Sequence, residues 1–351
     1  MAVQLVAVGA QDAYITGEPE VSFFRNAYKR HTNFSMQNIE QVFQGNPSPG
    51  GISTVEIQRK GDLLSYMTIV ALETTGDANV VYEWSNYIDK AELIIGGQVV
   101  DTQDSVFSED LAVDLLAATH AKSYPASLHG GQNTKFYPLR FFCCENWQNL
   151  LPLVALQYHT VEIRITWAST LPTNLRFEFC ANFVFLDTQE RAQFASQEEI
   201  NMLIYQVQKS VPSGNRIQEI NFNHPVKFLA ISTTQDSDPA TSADLAYGPN
   251  RFKLEANGTD IYEYRLVDPY YTEISRYFHT EYSSGTGNLI YIPFCIASAK
   301  LQPTGTLNFS RLDSFRIHSS HVPFSSKYNV YGVNYNVLKI KNGMGAVVFA
   351  N

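Results

Sequence analysis

The sequence predicts an all-β fold of two tandem antiparallel β-sandwiches with a few short helices. Three observations lead to this prediction. Apolar and polar residues alternate with period two in several short segments, glycine-containing dipeptides stand where hairpins would turn, and the hydrophobic pattern of the first half recurs in the second. Strands do not alternate with long helical segments, which argues against a parallel doubly wound sheet or a barrel of βα units.

The period-two segments predict individual strands. Val161–Trp167 places four apolar residues in alternation with Glu, Arg and Thr, which is typical of a half-buried strand. Residues 177–185 and 252–256 show the same alternation. The dipeptides at 96–97 and 257–258 are Gly-Gly and Asn-Gly, and they predict two hairpins because tight primed turns need positive φ angles.

Helical signals are few. Pro19 predicts the start of a short helix, because proline suits the first helical position. Residues 110–121 predict a longer helix, and residues 188–195 predict one or two turns. The first of these helices would carry an apolar face formed by Phe23, Phe24, Ala27 and Tyr28.

An internal repeat predicts that the two halves are copies. Shifted by 161 residues, the Leu93–Gly97 hairpin falls on Leu254–Gly258. Shifted by 151, the apolar pattern of Leu150–Glu162 falls on Leu301–Asp313, so the offset shrinks along the chain as differences in loop length require. Each copy would have about eight strands in two packed sheets, the size of a jelly roll. Two unrelated β-domains remain the alternative.

The predicted boundaries follow from this repeat. Residues 1–20 form an N-terminal arm, residues 21–195 the first jelly roll, residues 196–205 a polar linker, and residues 206–351 the second jelly roll.

Composition excludes several classes of function. Among 351 residues the net charge is −9, which argues against binding a polyanion through the bulk surface. We find no secretory leader and no apolar run long enough for a membrane span, so we expect a soluble chain. The four cysteines lack CxxC spacing and fit free thiols. An aromatic fraction of 13% beside 17% charged residues favours β-structure with extensive contacts.

Motifs for catalysis or metal binding were sought without result. The chain has no HExxH, GxSxG, GxxxxGK[ST] or GxGxxG pattern, and we expect no catalytic residue, no metal site and no cofactor. His318 and His321 are three apart, which puts them on opposite faces of a strand. Asn33, Asn257 and Asn308 satisfy the N-glycosylation pattern, but we expect them to be unused without a leader.

Two other classes share this β-rich composition. A carbohydrate-binding or carbohydrate-cleaving sandwich would need an exposed aromatic platform or a carboxylate pair at catalytic separation. A cupin-like metal enzyme would need a convergent His/Glu cluster. The sequence displays neither arrangement.

A series of motifs spread in order over nearly the whole chain resembles one family. The chain is similar to the major capsid proteins of nucleocytoplasmic large DNA viruses, with those of algal phycodnaviruses nearer than those of iridoviruses. The motifs are Gly9–Asp12, Tyr14–Gly17, Phe23–Arg25, Tyr28–Phe34, Gly61–Leu63, Ile95–Gln98, Leu150–Leu153, Ala155–His159, Phe185–Arg191, Asn221–Pro225, Gln302–Gly305, Asn308–Arg311, Asn334–Leu338 and Gly343–Gly345.

This resemblance implies a double jelly roll and a structural virion function without catalysis. It implies a pseudo-hexagonal homotrimer, which tiles an icosahedral shell with neighbouring capsomers around an internal membrane and a DNA genome. Minor capsid or cement proteins and penton proteins would be partners, with no direct nucleic-acid binding. The protein would be made and assembled in the host cytoplasm. A capsid-like paralogue present as a minor virion component is the alternative.

The resemblance also directs attention to the N-terminal region. We expect Met1–Pro19 to be an arm ordered by neighbouring subunits or minor proteins, and Phe23, Phe24 and Tyr28 to anchor it against the base of the jelly roll. The candidate assembly residues are Phe23, Phe24, Arg25, Tyr28 and Arg30. Little room exists for large outward loops between Ser232 and Arg251 or between Leu266 and Tyr291.

Overall fold

The structure, a computed structural model, contains two compact units. Met1–Asn33 forms one, and Phe34–Asn351 forms the other, which holds all the sheets. The described residues are 9–73, 84–123, 135–232, 245–246, 248–282, 289–325 and 328–350. Small loops are predicted between Ser232 and Arg251 and between Leu266 and Tyr291. Most of the first segment and residues 283–288 of the second lie outside the described residues.

Ten strands form two sheets in the first half of the larger unit. Sheet 1 has the order β1-β10-β4-β7, with β8 also paired to β4, and sheet 2 has the order β2-β3-β9-β5-β6. The strands are β1 (Phe34–Gln41), β2 (Phe43–Gln44), β3 (Ile52–Glu56), β4 (Leu63–Glu73), β5 (Ile88–Ile95), β6 (Gln98–Asp104), β7 (Phe136–Pro138), β8 (Leu151–Pro152), β9 (Val161–Trp167) and β10 (Leu175–Leu186).

The second half repeats the arrangement. Sheet 3 has the order β11-β19-β13-β16, with β17 paired to β13 and β20 to β19, and sheet 4 has the order β12-β18-β14-β15. The strands are β11 (Glu199–Ser210), β12 (Ile217–Glu219), β13 (Pro225–Ser232), β14 (Arg251–Ala256), β15 (Thr259–Leu266), β16 (Leu289–Pro293), β17 (Leu307–Asn308), β18 (Phe315–Ser319), β19 (Val330–Lys341) and β20 (Met344–Val347).

Both halves are jelly rolls of the same topology. In each half the first, eighth, third and sixth strands of the motif form one sheet, and the second, seventh, fourth and fifth form the other. The predicted double jelly roll is therefore confirmed. The described strand pairs are all antiparallel, and the polar alternate positions of strands such as β9 face away from the core.

The repeat can be read residue by residue from the strand pairing. Leu93 pairs with Ile163, and its counterpart Leu254 pairs with Ile317. The predicted offset of 161 is therefore right at the hairpin. Between β8 and β9 the offset is 156 to 154, so the predicted 151 is misplaced by three to five residues. Counterparts along the chain are Leu64 and Val226, Leu93 and Leu254, Leu151 and Leu307, Ile163 and Ile317, and Phe183 and Asn334.

Sheet 3 is buried on both faces. On β13, Val226, Leu229 and Ile231 pack into the core between sheets 3 and 4. Phe228 and Ala230 point the other way and join the core of the first jelly roll. One hydrophobic core thus continues from the first sandwich onto the second, so the two jelly rolls share a large apolar interface.

Several predicted elements are confirmed. Strand β9 has the predicted bounds, and residues 177–185 lie within β10. Both hairpins form, with positive φ angles of 57° and 80° at Gly96 and Gly97, and of 51° and 75° at Asn257 and Gly258. All four cysteines are free.

The helices are short and differ in part from expectation. The predicted helix at 188–195 forms as Thr188–Ser196, but the one at 110–121 is interrupted at residues 116–119, between Ala112–Leu115 and His120–Ser123. The α-helices are Ala13–Thr16, Ala112–Leu115, His120–Ser123, Phe142–Glu145, Thr188–Ser196 and Ser275–His279. Single 3₁₀ turns are Trp84–Asn86, Trp147–Asn149 and Phe309–Arg311, and two π-helices are Phe107–Leu111 and Tyr270–Ile274.

The domain boundaries stay a prediction, although residues 199–205 of the expected linker lie in β11. The polar residues around Glu199 favoured a linker in the sequence. They lie on a long strand because β11 pairs along its whole length with β19.

Candidate assembly surfaces

The N-terminal unit exposes the residues that the sequence singled out. Phe23 and Phe24 are 95% and 98% exposed, and Arg25, Tyr28 and Arg30 are exposed as well. The helix predicted to begin at Pro19 does not form, and residues 19–33 contain turns and irregular structure instead. The anchoring of these rings and their role in assembly stay predictions.

The three asparagines of the glycosylation pattern occupy different settings. Asn33 is exposed at the end of the N-terminal unit. Asn257 is a hairpin residue whose side-chain oxygen accepts hydrogen bonds from the backbone amides of Asp313 and Ser314, at 2.8 and 3.2 Å. Asn308 caps a 3₁₀ turn by accepting from the Ser310 amide at 3.1 Å. The latter two have a local structural role.

An apolar contact joins the two jelly rolls at the first π-helix. Phe107 is fully buried, and its ring lies 5.8 Å from that of Tyr331 on β19. The Tyr331 hydroxyl donates to the Asp104 carboxylate at 2.7 Å, and Lys209 on β11 forms an ion pair with that carboxylate at 2.8 Å. The Ser232 hydroxyl donates to Asp110 at 2.8 Å. The end of β6 and the π-helix thus cover the outer face of sheet 3.

A buried carboxylate lies at the same interface. Asp101 accepts hydrogen bonds from the backbone amides of Val207 and Thr102, at 2.9 and 3.0 Å, and from the Gln103 amide at 2.7 Å. Burial is the largest influence and raises the pKa of Asp101 to about 7, although these donors oppose the shift. The sequence offered no local signal for this residue, because a lone Asp in a strand is ordinarily exposed.

Further polar groups are buried where the halves meet. The Tyr205 hydroxyl donates to the Arg140 carbonyl at 2.9 Å, and Asn336 donates to Gln206 at 2.8 Å. Burial lowers the pKa of Lys227 to about 8, and its ammonium donates to the Ser298 carbonyl at 2.7 Å. Such groups fix one relative position of the two jelly rolls, because a shifted contact would leave them unpaired.

Two apolar surfaces remain open in the larger unit. On the outer face of sheet 1, Tyr66 and Trp147 meet edge to face at 6.3 Å beside a cavity of about 520 Å³. In the second jelly roll, a cavity of about 630 Å³ lies against Tyr262, Tyr270 and Phe278. Exposed apolar patches rimmed by polar residues are typical of interfaces between proteins.

The described residues contain no cluster of three or more side chains suited to a metal ion. His318 lies 3.0 Å from Glu255, and His321 contacts Ser320 instead. Within the same residues, no helix is long and apolar enough to span a membrane.

Comparisons with known proteins agree with this architecture. The family model "Major capsid protein N-terminus" matches residues 22–204, and "Large eukaryotic DNA virus major capsid protein" matches residues 190–346. The chain is 31% identical to the major capsid protein of Pyramimonas orientalis virus, with 99% of each chain covered. The chain belongs to the major capsid proteins of large eukaryotic DNA viruses. This capsid protein is also 28% identical to that of Paramecium bursaria Chlorella virus 1, again with 99% of each chain covered.

Solved structures share the fold of this capsid protein. The PBCV-1 VP54 structure superposes with a TM-score of 0.76 at 24% identity and covers 94% of this chain and 100% of its own. The Faustovirus major capsid protein gives a TM-score of 0.60 at 11% identity, with 95% and 94% covered. The function of this capsid protein is structural, and its place is the virion capsid.

Proposed function

We propose that this capsid protein forms pseudo-hexagonal homotrimers that tile an icosahedral shell around an internal membrane and a DNA genome, and that it catalyses no reaction. The observation that carries the proposal is the identical strand order of the two jelly rolls. Three copies of such a chain present six similar sandwiches around a threefold axis. A nearly sixfold outline follows, and such units pack side by side over a shell.

Light scattering coupled to size exclusion tests the trimer. The chain mass is 39.5 kDa, and we expect about three times that mass, stable on dilution, because obligate interfaces are large and apolar. A monomer at all concentrations would overturn the proposal.

The partners we propose follow from the same arrangement. Neighbouring capsomers, penton proteins and minor capsid or cement proteins contact the trimer, and the N-terminal arm with Phe23, Phe24, Arg25, Tyr28 and Arg30 is ordered by such contacts. We also propose that assembly takes place in the host cytoplasm. The net charge of −9 supports the absence of direct nucleic-acid binding. Quantitative mass spectrometry of virions tests the role as main shell subunit, for which the chain must be the most abundant capsid protein.

A further inference from the structure

One interface inside the chain joins a segment of the first jelly roll to a face of the second. The end of β6 and the π-helix Phe107–Leu111 of the first jelly roll cover the outer face of sheet 3 in the second. Because the two jelly rolls have the same topology, each half has a counterpart of both the covering segment and the covered face. Among the described residues of one chain, one of the two possible pairings is made.

The counterpart of the covering segment is open. After β15, the π-helix Tyr270–Ile274 runs into a helix, just as Phe107–Leu111 runs into Ala112–Leu115. Phe107 is fully buried, whereas its counterpart Tyr270, 163 residues later, is 44% exposed. We call the exposed segment the donor surface. It consists of Tyr262, Arg265, Tyr270, Ile274, Tyr277 and Phe278.

The counterpart of the covered face is open as well. On β13, Phe228 and Ala230 are buried against the first jelly roll, whereas among the described residues their counterparts on β4 are less covered, since Tyr66 is exposed and Thr68 half-buried. Tyr66 is 38% exposed, compared with 0% for Phe228. We call this the acceptor face, and it consists of Glu40, Tyr66, Thr68, Val70, Phe136 and Pro138.

The charges on the two surfaces are complementary. Inside the chain, Lys209 on β11 pairs with Asp104 at the end of β6. The counterpart of Lys209 on β1 is the exposed Glu40, since both stand opposite equivalent residues of the next strand. Near the counterpart of Asp104 lies the exposed Arg265, whose guanidinium is 5.3 and 5.8 Å from the ring centres of Tyr262 and Tyr270. Compared with the Lys209–Asp104 pair, Glu40 and Arg265 have the opposite charges, so the two surfaces attract each other as the internal pair does.

We propose that the donor surface of one copy of this chain docks on the acceptor face of a second copy, head to tail, in the way the first π-helix covers sheet 3 inside the chain. Each chain has one donor surface and one acceptor face, and such head-to-tail contacts close into a ring of three when successive copies are related by a third of a turn. This inference rests on the proposed trimer and names the surfaces that build it.

Charge reversal tests the docking. Glu40→Lys and Arg265→Glu are measured singly and together by light scattering over a dilution series. We expect each single variant to raise the dissociation constant about tenfold, and the double variant to recover most of the affinity, because opposite charges then face each other again. Glu56→Lys is the matched control, since Glu56 is exposed on sheet 2 of the same jelly roll.

Substitutions at the exposed aromatic residues provide an independent test. Tyr66→Asp and Tyr270→Asp should yield folded monomers with an unchanged circular dichroism spectrum, whereas Tyr158→Asp, at a residue that is 73% exposed elsewhere, should leave the oligomer intact. If the wild-type chain is a trimer and either Tyr66→Asp or Tyr270→Asp is a trimer as well, the docking proposal is wrong, whereas the proposed trimer is retained. A monomeric wild-type chain overturns the proposed function itself.

Discussion

Replacement of Phe107 by alanine tests whether the two jelly rolls unfold as one unit. The Phe107 side chain is fully buried between the π-helix and Tyr331 of the other jelly roll. Burial of a phenylalanine ring removes about 150–250 Å² from water, and at about 25 cal/mol per Å² this is worth roughly 4–6 kcal/mol. Measured Phe→Ala changes in cores cost about 3–5 kcal/mol. We therefore expect a loss of about 4 kcal/mol.

Urea unfolding, followed by far-ultraviolet circular dichroism and by tryptophan fluorescence, measures this loss. The tryptophans Trp84 and Trp167 are buried in the first jelly roll and report on it, whereas circular dichroism reports on both halves. We expect both signals to shift together to lower urea, because the halves share one core. The exposed Tyr158→Ala should cost less than about 1 kcal/mol. If Phe107→Ala costs no more than this control, or if only one signal moves, the shared core is not a single cooperative unit.

Three further predictions concern other parts of the chain. Gly96→Ala should destabilise the protein more than Gly97→Ala in thermal melts, because both positions have positive φ but only a Cβ at Gly96 would overlap the His159 ring. Because the pKa of Asp101 is raised to about 7 in the folded state, the folded state holds a proton between about pH 4 and 7 that the unfolded state has released. The free energy of unfolding should therefore rise by up to roughly 4 kcal/mol as the pH falls from 8 to 4. Asp101→Asn should remove this pH dependence of stability. Phe24→Ala should leave the melting temperature of the monomer unchanged but weaken capsomer assembly, and unchanged assembly would refute the role of the arm.

Local patterns predicted much of the fold. Strand β9 and both hairpins could be identified because each has one polar face or a turn with a specific backbone requirement. The strands of sheet 3 lack this signal. Val226–Ile231 and Leu289–Ile292 are nearly continuous apolar runs, as expected for strands buried on both faces, and period-two analysis does not detect them. Their continuity is the signal by which the shared core could have been found.

The assembly surfaces were harder to predict. The aromatic residues near Phe24 attracted attention because they are clustered in sequence, and the structure leaves them exposed. Glu40, Tyr66 and Arg265 are far apart in sequence, and the docking role that we propose for them follows from comparing the two jelly rolls position by position. The helix expected at Pro19 is absent, so a proline at a possible first helical position was not a sufficient signal for a helix here.

The burial of sheet 3 on both faces has a consequence for synthesis on the ribosome. Strand β11 pairs over twelve residues with β19, which is made more than a hundred residues later. Until β19 has emerged, Phe107 of the first jelly roll lacks its contact with Tyr331, and the nascent chain presents apolar surface. The core of the first jelly roll is therefore complete only when nearly the entire chain has been made. During translation the exposed apolar surface is open to aggregation and to chaperone binding.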